Sequence, residues 1–231
     1  MALETARASA SPPRRLSMDL DFPGLRMLHP DPPIYAIDHF LSSAECDMLI
    51  KQAPPLLEDS KIGFKVSDVR TSRTGFLSRD ALESRAIFER IRRLTGCSPK
   101  ACEDVQVAKY TPGQYYQGHY DGADPHDPDA EAFFRGGGQR LGTVLIYLNT
   151  LSNVGGKTRF ELLDLEISPE KGRAIVFFPG FTDGRQDQKL YHEATATSAT
   201  KWVSQVWIRQ VPDPCRELPK EWRQALGDSW S

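Results

Sequence analysis

Nowhere in these 231 residues do apolar side chains run for the roughly 18 to 20 positions that a membrane-crossing helix requires. The first 30 residues lack the apolar core of a secretory signal, so no compartment is marked and a soluble chain is expected. Cysteine is scarce: Cys46, Cys97, Cys102 and Cys215 are too scattered for a disulfide scaffold, and no CxxC pair suggests a zinc knuckle. A single Cys97 to Cys102 bridge stays open. Excess charge of one sign is missing too. With 29 Lys and Arg against 31 Asp and Glu, the net charge of -2 provides no field that would capture nucleic acid or anionic lipid. Gly136 to Gly138 is no phosphate loop, because no Gly-Lys-Ser/Thr follows at the spacing such a loop needs and a strand comes after it. Internal repeats are absent.

What is present is a core large enough for one domain, with 39% hydrophobic and 10% aromatic residues. Residues 1–33 are rich in Ala, Ser, Pro and Arg without apolar period and are expected to be a mobile N-terminal arm, with some likeness to an organelle transit peptide. The domain is expected over 34–212 and a C-terminal tail over 213–231. Ser42 with Glu45, and Asp80 with Glu83, have capping-box spacing ahead of two helices; Pro54-Pro55 stops the first and Gly96 the second. From Val105 the pattern changes to short apolar runs (VQVAKY, LGTVLIYL, TRFELL, GRAIVFFPG, LYHEATA, KWVSQVWI) separated by turn residues. Six or more such strands after two helices predict a mainly β, α+β domain built as a sandwich or barrel. The stretch between Asp121 and Arg140 is too long for a tight hairpin and reads as a mobile loop near a site, with His126 facing solvent.

His119 and Asp121 lie two apart, so an extended strand turns both to one face while Tyr120 leaves the other. A second HxD, His29-Pro30-Asp31, sits in the Pro-rich arm with nothing to hold it rigid. His192 in LYHEATA supplies a third ligand, and two imidazoles plus one carboxylate form the facial set that holds Fe(II), although zinc tolerates a similar one. In the last strand, alternation places Lys201, Val203, Gln205, Trp207 and Arg209 on one face and Trp202, Ser204, Val206 and Ile208 on the other. The second face can pack on helices. The first, with its cations and indole, suits a polar cavity.

This arrangement resembles the prolyl 4-hydroxylase branch of the 2-oxoglutarate- and Fe(II)-dependent dioxygenases. The likeness runs from about Arg70 to Arg209 through motifs in the family's order: RTS at 70–72, QVAKYTPGQYYQGHYD at 106–121, RLGTVLIYLN at 140–149, GGKTRF at 155–160, Pro169 through Gly172 to Phe177, then His192 and Lys201-Trp202. The resemblance implies a double-stranded β-helix (jelly-roll) core. It implies His119, Asp121 and His192 as iron ligands, Lys201 as the partner of the distal carboxylate of 2-oxoglutarate, and Tyr110 and Thr158 as hydroxyls beside that carboxylate. Arg70 and Ser72 match a peptide-gripping element, and Glu103, Tyr116, Arg140 and Trp207 match a proline groove. Glu103 and Tyr110 are an odd number apart, so Glu103 must precede the strand or a bulge must intervene.

The implied reaction hydroxylates proline in a peptide or protein with O2 and 2-oxoglutarate, giving 4-hydroxyproline, succinate and CO2, with ascorbate to rescue oxidised iron. Arg209 and Ala199 stand where the family commonly has His and Gly, which bears on substrate preference. Two other functions remain open: the same chemistry on another side chain or a small molecule, and a non-catalytic module that binds Pro-rich peptides.

Overall fold

The computed structural model describes residues 12–62, 65, 66 and 68–212. In chain order its elements are β1 (Leu25–Pro30), β2 (Pro33–Ile37), α1 (Ser43–Gln52), β3 (Glu58–Asp59), β4 (Lys61–Ile62), β5 (Lys65–Val66), β6 (Arg73–Phe76) and α2 (Leu82–Thr95). Then come β7 (Gln106–Tyr110), β8 (Tyr116–His119), α3 (Glu131–Arg135), β9 (Arg140–Tyr147), β10 (Thr158–Phe160), β11 (Leu165–Ile167), β12 (Ala174–Phe177), β13 (His192–Ala194) and β14 (Lys201–Arg209).

A major sheet of eight strands runs β1-β2-β12-β9-β14-β7-β6-β3, and a minor sheet runs β11-β10-β13-β8. The chain is a double-stranded β-helix, as expected. Period-two alternation sorts the side chains of β14. Trp202, Val206 and Ile208 join Val107, Val144, Ile146 and Val176 to pack against Leu49 of α1 and Ile87, Phe88, Ile91 and Leu94 of α2. Val203 faces the other way, into a second cluster with Tyr147, Phe160, Ile167, Ile175 and Phe177 between the two sheets. Helices therefore cover one face of the major sheet, and the minor sheet covers the other. Burying each large apolar side chain contributes about 1.5 to 3 kcal/mol, so both layers are needed to hold the β-helix shut.

Local signals account for most element ends. Ser42 caps α1 in a complete capping box, its hydroxyl accepting from Glu45 N while the Glu45 carboxylate accepts from Ser42 N. Gly96 ends α2 at φ 72°, a left-handed turn that costs glycine little. The second capping box does not form: the N-cap of α2 is Ala81, with no side-chain bond, because the chain enters the helix one residue later than the spacing of Asp80 and Glu83 requires.

The first 33 residues are not an arm throughout. Residues 1–11 lie outside the described residues, but β1 pairs with β2 along the sheet edge, and Leu16 and Met18 pack on the helical core. The amide of Asp19 donates to the carbonyl of Leu94. Apolar residues spaced irregularly among prolines were enough for this edge position, where lost ladder donors are tolerated. The region 121–140 is likewise not a bare loop, since it carries α3; His126 in it is exposed. Cys46, Cys97 and Cys102 are free thiols, so the Cys97 to Cys102 bridge is not made. Cys215 and the tail 213–231 lie outside the described residues.

Candidate active site

His119 and His192 are register partners across the antiparallel pair β8 and β13, which brings their imidazole centroids to 4.4 Å. Asp121 lies just past the end of β8, and its Oδ1 is 3.7 Å from His119 Nε2 while its Oδ2 is 3.9 Å from His192 Nε2. One ligand atom from each residue falls within 4.8 Å of the other two. Each imidazole Nδ1 meets a backbone carbonyl, Gln117 O at 2.8 Å and Leu190 O at 2.9 Å. A carbonyl only accepts, so Nδ1 carries the proton and Nε2 keeps its lone pair for the shared centre.

Electrostatics agree with that tautomer. Burial, helped by the neighbouring His192, lowers His119 to about 3, so its ring is neutral at physiological pH. Burial alone would push Asp121 up, but the attraction of His192, His119 and Arg140, with the hydroxyl of Thr143 donating to Oδ2 at 2.8 Å, leaves it below the usual carboxylate range. Two imidazoles whose Nδ1 atoms are tied to backbone carbonyls, and an ionised carboxylate, converge from one side as a donor set that fits a first-row divalent cation.

Lys201 opens β14 opposite Tyr110 and is 1% exposed. Its amine lies 5.2 Å from the Tyr110 ring centroid, and among the described residues no carboxylate comes within ion-pair distance of it. Burial lowers its pKa to about 7. A narrow recess joins this amine to the ligand pair, lined by Tyr110, Tyr116, His119, Thr158, His192 and Gln205. The Thr158 hydroxyl accepts from Tyr147 Oη at 2.8 Å, which leaves its own proton for a second acceptor. A buried ammonium with no internal counter-charge fits a ligand that brings a carboxylate.

On the outer side of Asp121 a cavity of about 580 Å³ is lined by Arg70, Glu103, Tyr116, Phe133, Arg140 and Trp207, among others. The Arg140 guanidinium stacks 3.8 Å from the Trp207 ring centroid and clamps Glu103 with two bonds, Nε to Oε1 at 2.7 Å and Nη2 to Oε2 at 2.9 Å. Arg209 Nε reaches the same Oε1 at 2.5 Å. Glu103 precedes β7, which resolves the parity conflict with Tyr110.

Comparison with known proteins decides what this arrangement belongs to. A family model described as the 2OG-Fe(II) oxygenase superfamily matches residues 105–209. Prolyl 4-hydroxylase 1 of Arabidopsis thaliana is 34% identical over 209 residues, covering 78% of this chain and 69% of that protein. The chain belongs to the prolyl 4-hydroxylase family of 2-oxoglutarate- and Fe(II)-dependent oxygenases. Mouse prolyl 4-hydroxylase subunit alpha-1 is 33% identical over 78% of the chain, which spans only 35% of that subunit. Among solved structures, the viral collagen prolyl hydroxylase of Paramecium bursaria Chlorella virus-1, in its 2-oxoglutarate complex, is similar with TM-score 0.61 and 30% identity, covering 76% of this chain and 94% of that one.

As a member of the prolyl 4-hydroxylase family, the chain is an iron- and 2-oxoglutarate-dependent dioxygenase. Of the residues expected at its site, Ser72 is not brought to the cavity. It is 2% exposed, with its hydroxyl on that of Ser60 at 2.8 Å, because the segment before β6 packs against the one after β3. Arg70 is brought there, bonded through Nη2 to Gln106 Oε1 at 2.8 Å and lying over the Tyr116 ring at 4.7 Å. Sequence reading missed Thr143, Gln106 and Phe133. A lone hydroxyl inside the apolar run LGTVLIYL was the available sign for Thr143; nothing local marks the other two.

Proposed function

We propose that this dioxygenase hydroxylates C4 of a prolyl residue in a peptide or protein, converting 2-oxoglutarate and O2 to succinate and CO2. Bound through His119, Asp121 and His192, ferrous iron would supply the oxidation, one oxygen atom entering a proline C–H bond and the other entering succinate. Lys201, Tyr110 and Thr158 hold the distal carboxylate of 2-oxoglutarate, whose charge offsets the otherwise unpaired buried amine. Thr143 keeps Asp121 oriented and ionised.

The observation that carries the reading is the cavity beside Asp121, walled by Tyr116, Trp207, Phe133 and the guanidinium groups of Arg70 and Arg140. Aromatic faces suit the proline ring, and a chain already close to polyproline II loses little entropy on docking there. Ascorbate serves as the reductant that returns oxidised iron to the ferrous state. The test is mass spectrometry of Pro-rich peptides incubated with the protein, Fe(II), 2-oxoglutarate and O2. One added oxygen on proline, matched by succinate, is the expected result. Succinate release that no proline-containing peptide stimulates would overturn it.

A further inference from the structure

Arg14 and Arg15 pack against the loop that precedes His192, while Asp19, a few residues on, bonds to Leu94 at the end of α2. The carbonyl of Arg14 accepts from Thr182 N at 2.8 Å. The guanidinium of Arg15 lies 4.4 Å from the Phe181 ring centroid, donates to Phe178 O at 3.3 Å and pairs with Asp187 Oδ2 at 2.5 Å. Asp187 is 5% exposed, so this is a buried carboxylate whose partner arrives from 172 residues away in sequence.

Asp187 leads directly to a proposed ligand. Its other oxygen, Oδ1, accepts from Lys189 N at 3.0 Å and caps a 3-10 turn over Gln188–Leu190. Its backbone carbonyl accepts from Leu190 N at 3.2 Å. That turn sets the carbonyl of Leu190, which receives the Nδ1 proton of His192 and so aims Nε2 at Asp121 and His119. The outer partner of a metal-bound histidine fixes its tautomer and ring angle, and disturbing it typically lowers metal affinity about 10- to 100-fold.

We infer that Arg15 and Asp187 are positioning residues for His192, which makes the N-terminal segment part of the metal site. This rests on the reading of His192 as a ligand. Neither side chain touches the metal or substrate; both act through the turn at 188–190.

Calorimetric titration of the metal-free full chain with Mn(II), at a temperature well below each variant's melting point, tests the inference. Arg15→Ala and Asp187→Asn should each weaken Mn(II) binding by at least about tenfold, and the double variant should lose little more, since both break one pair. Arg15→Lys should recover most of the affinity. Arg14→Ala, whose side chain is exposed, should match the wild type. Affinity within twofold of wild type for Arg15→Ala, or full additivity in the double variant, would overturn the proposal. His192→Ala separates the two readings: if it binds Mn(II) as the wild type does, the ligand assignment itself fails.

Discussion

The phenol ring of Tyr116 lies flat on the imidazole of His119, with centroids 3.6 Å apart and planes 12° from parallel. The outer face of the same phenol carries the Arg70 guanidinium. Tyr116 thus lines both the recess beside His119 and His192 and the outer cavity beside Asp121. Tyr116→Phe should retain the stack and keep metal affinity within about twofold, whereas Tyr116→Ala should loosen His119 and raise the KM for peptide, each of these losses corresponding to roughly 0.5 to 1.5 kcal/mol of aromatic stacking. Mn(II) titration and peptide kinetics on both variants check this.

Alanine at His119, Asp121 or His192 should abolish turnover, because each removes one of three ligands. His29, whose Nδ1 instead meets Pro32 O at 2.9 Å, and Asp31, paired with Lys189 at 3.1 Å, lie outside the triad. Their alanine variants should turn over at the wild-type rate in a succinate assay.

On the role proposed for Lys201, 2-oxoglutarate binding should be sensitive to pH. The Lys201 amine has a pKa of about 7 in the ligand-free protein, and a carboxylate bound beside it should raise that value. Binding is then strongest below pH 7, and affinity falls about tenfold per unit as pH rises above it, until the pKa of the complex is reached. Calorimetry in buffers of different ionisation enthalpy should show proton uptake on binding at pH 8. Lys201→Met should remove both the uptake and most of the affinity; binding that neither depends on pH nor responds to this variant would refute the role.

Glu103 sits between Arg140 and Arg209, and Arg209 Nη1 also donates to Phe133 O at 3.0 Å and Gly138 O at 2.8 Å. Removing the carboxylate leaves two guanidinium groups facing each other. Glu103→Ala should cost on the order of 3 kcal/mol in urea unfolding, since breaking a largely buried pair strands its partners. Arg209→Ala should free the wall that carries α3 and raise the KM for peptide with little change in that for 2-oxoglutarate. Burial pushes the Glu103 carboxyl up, yet the two arginines hold it below its ordinary 4.5. The stability it contributes is therefore present above pH 4.5 and lost as pH falls through the depressed value. The variant should show a flatter acid limb in a pH-stability profile.

Gly172 turns at φ +82°, and a Cβ there would stand 2.3 Å from the carbonyl oxygen of Leu41. Gly172→Ala should lower the melting temperature by several degrees, consistent with a backbone clash and left-handed strain of about 1 to 3 kcal/mol. An unchanged melt would contradict the close approach of that turn to the segment before α1.

Alternation and spacing by themselves determined the two faces of β14, the capped start of α1, the Gly96 stop and the pairing of His119 with Asp121, because each depends on residues a few positions apart. The triad could be named from residue types together with the resemblance of its motifs to the family. Only the tertiary structure decided that His192 stands directly opposite His119, that Ser72 turns to Ser60 and that Thr143 holds Asp121. The same is true of the first residues. Composition marked 1–33 as a mobile arm, since a Pro-rich run has no period of its own, yet the sheet edge, the Leu94 carbonyl and the buried Asp187 carboxylate hold its described part, 12–33, in place. Those partners lie up to 172 residues away, and only the closure of the barrel brings them together.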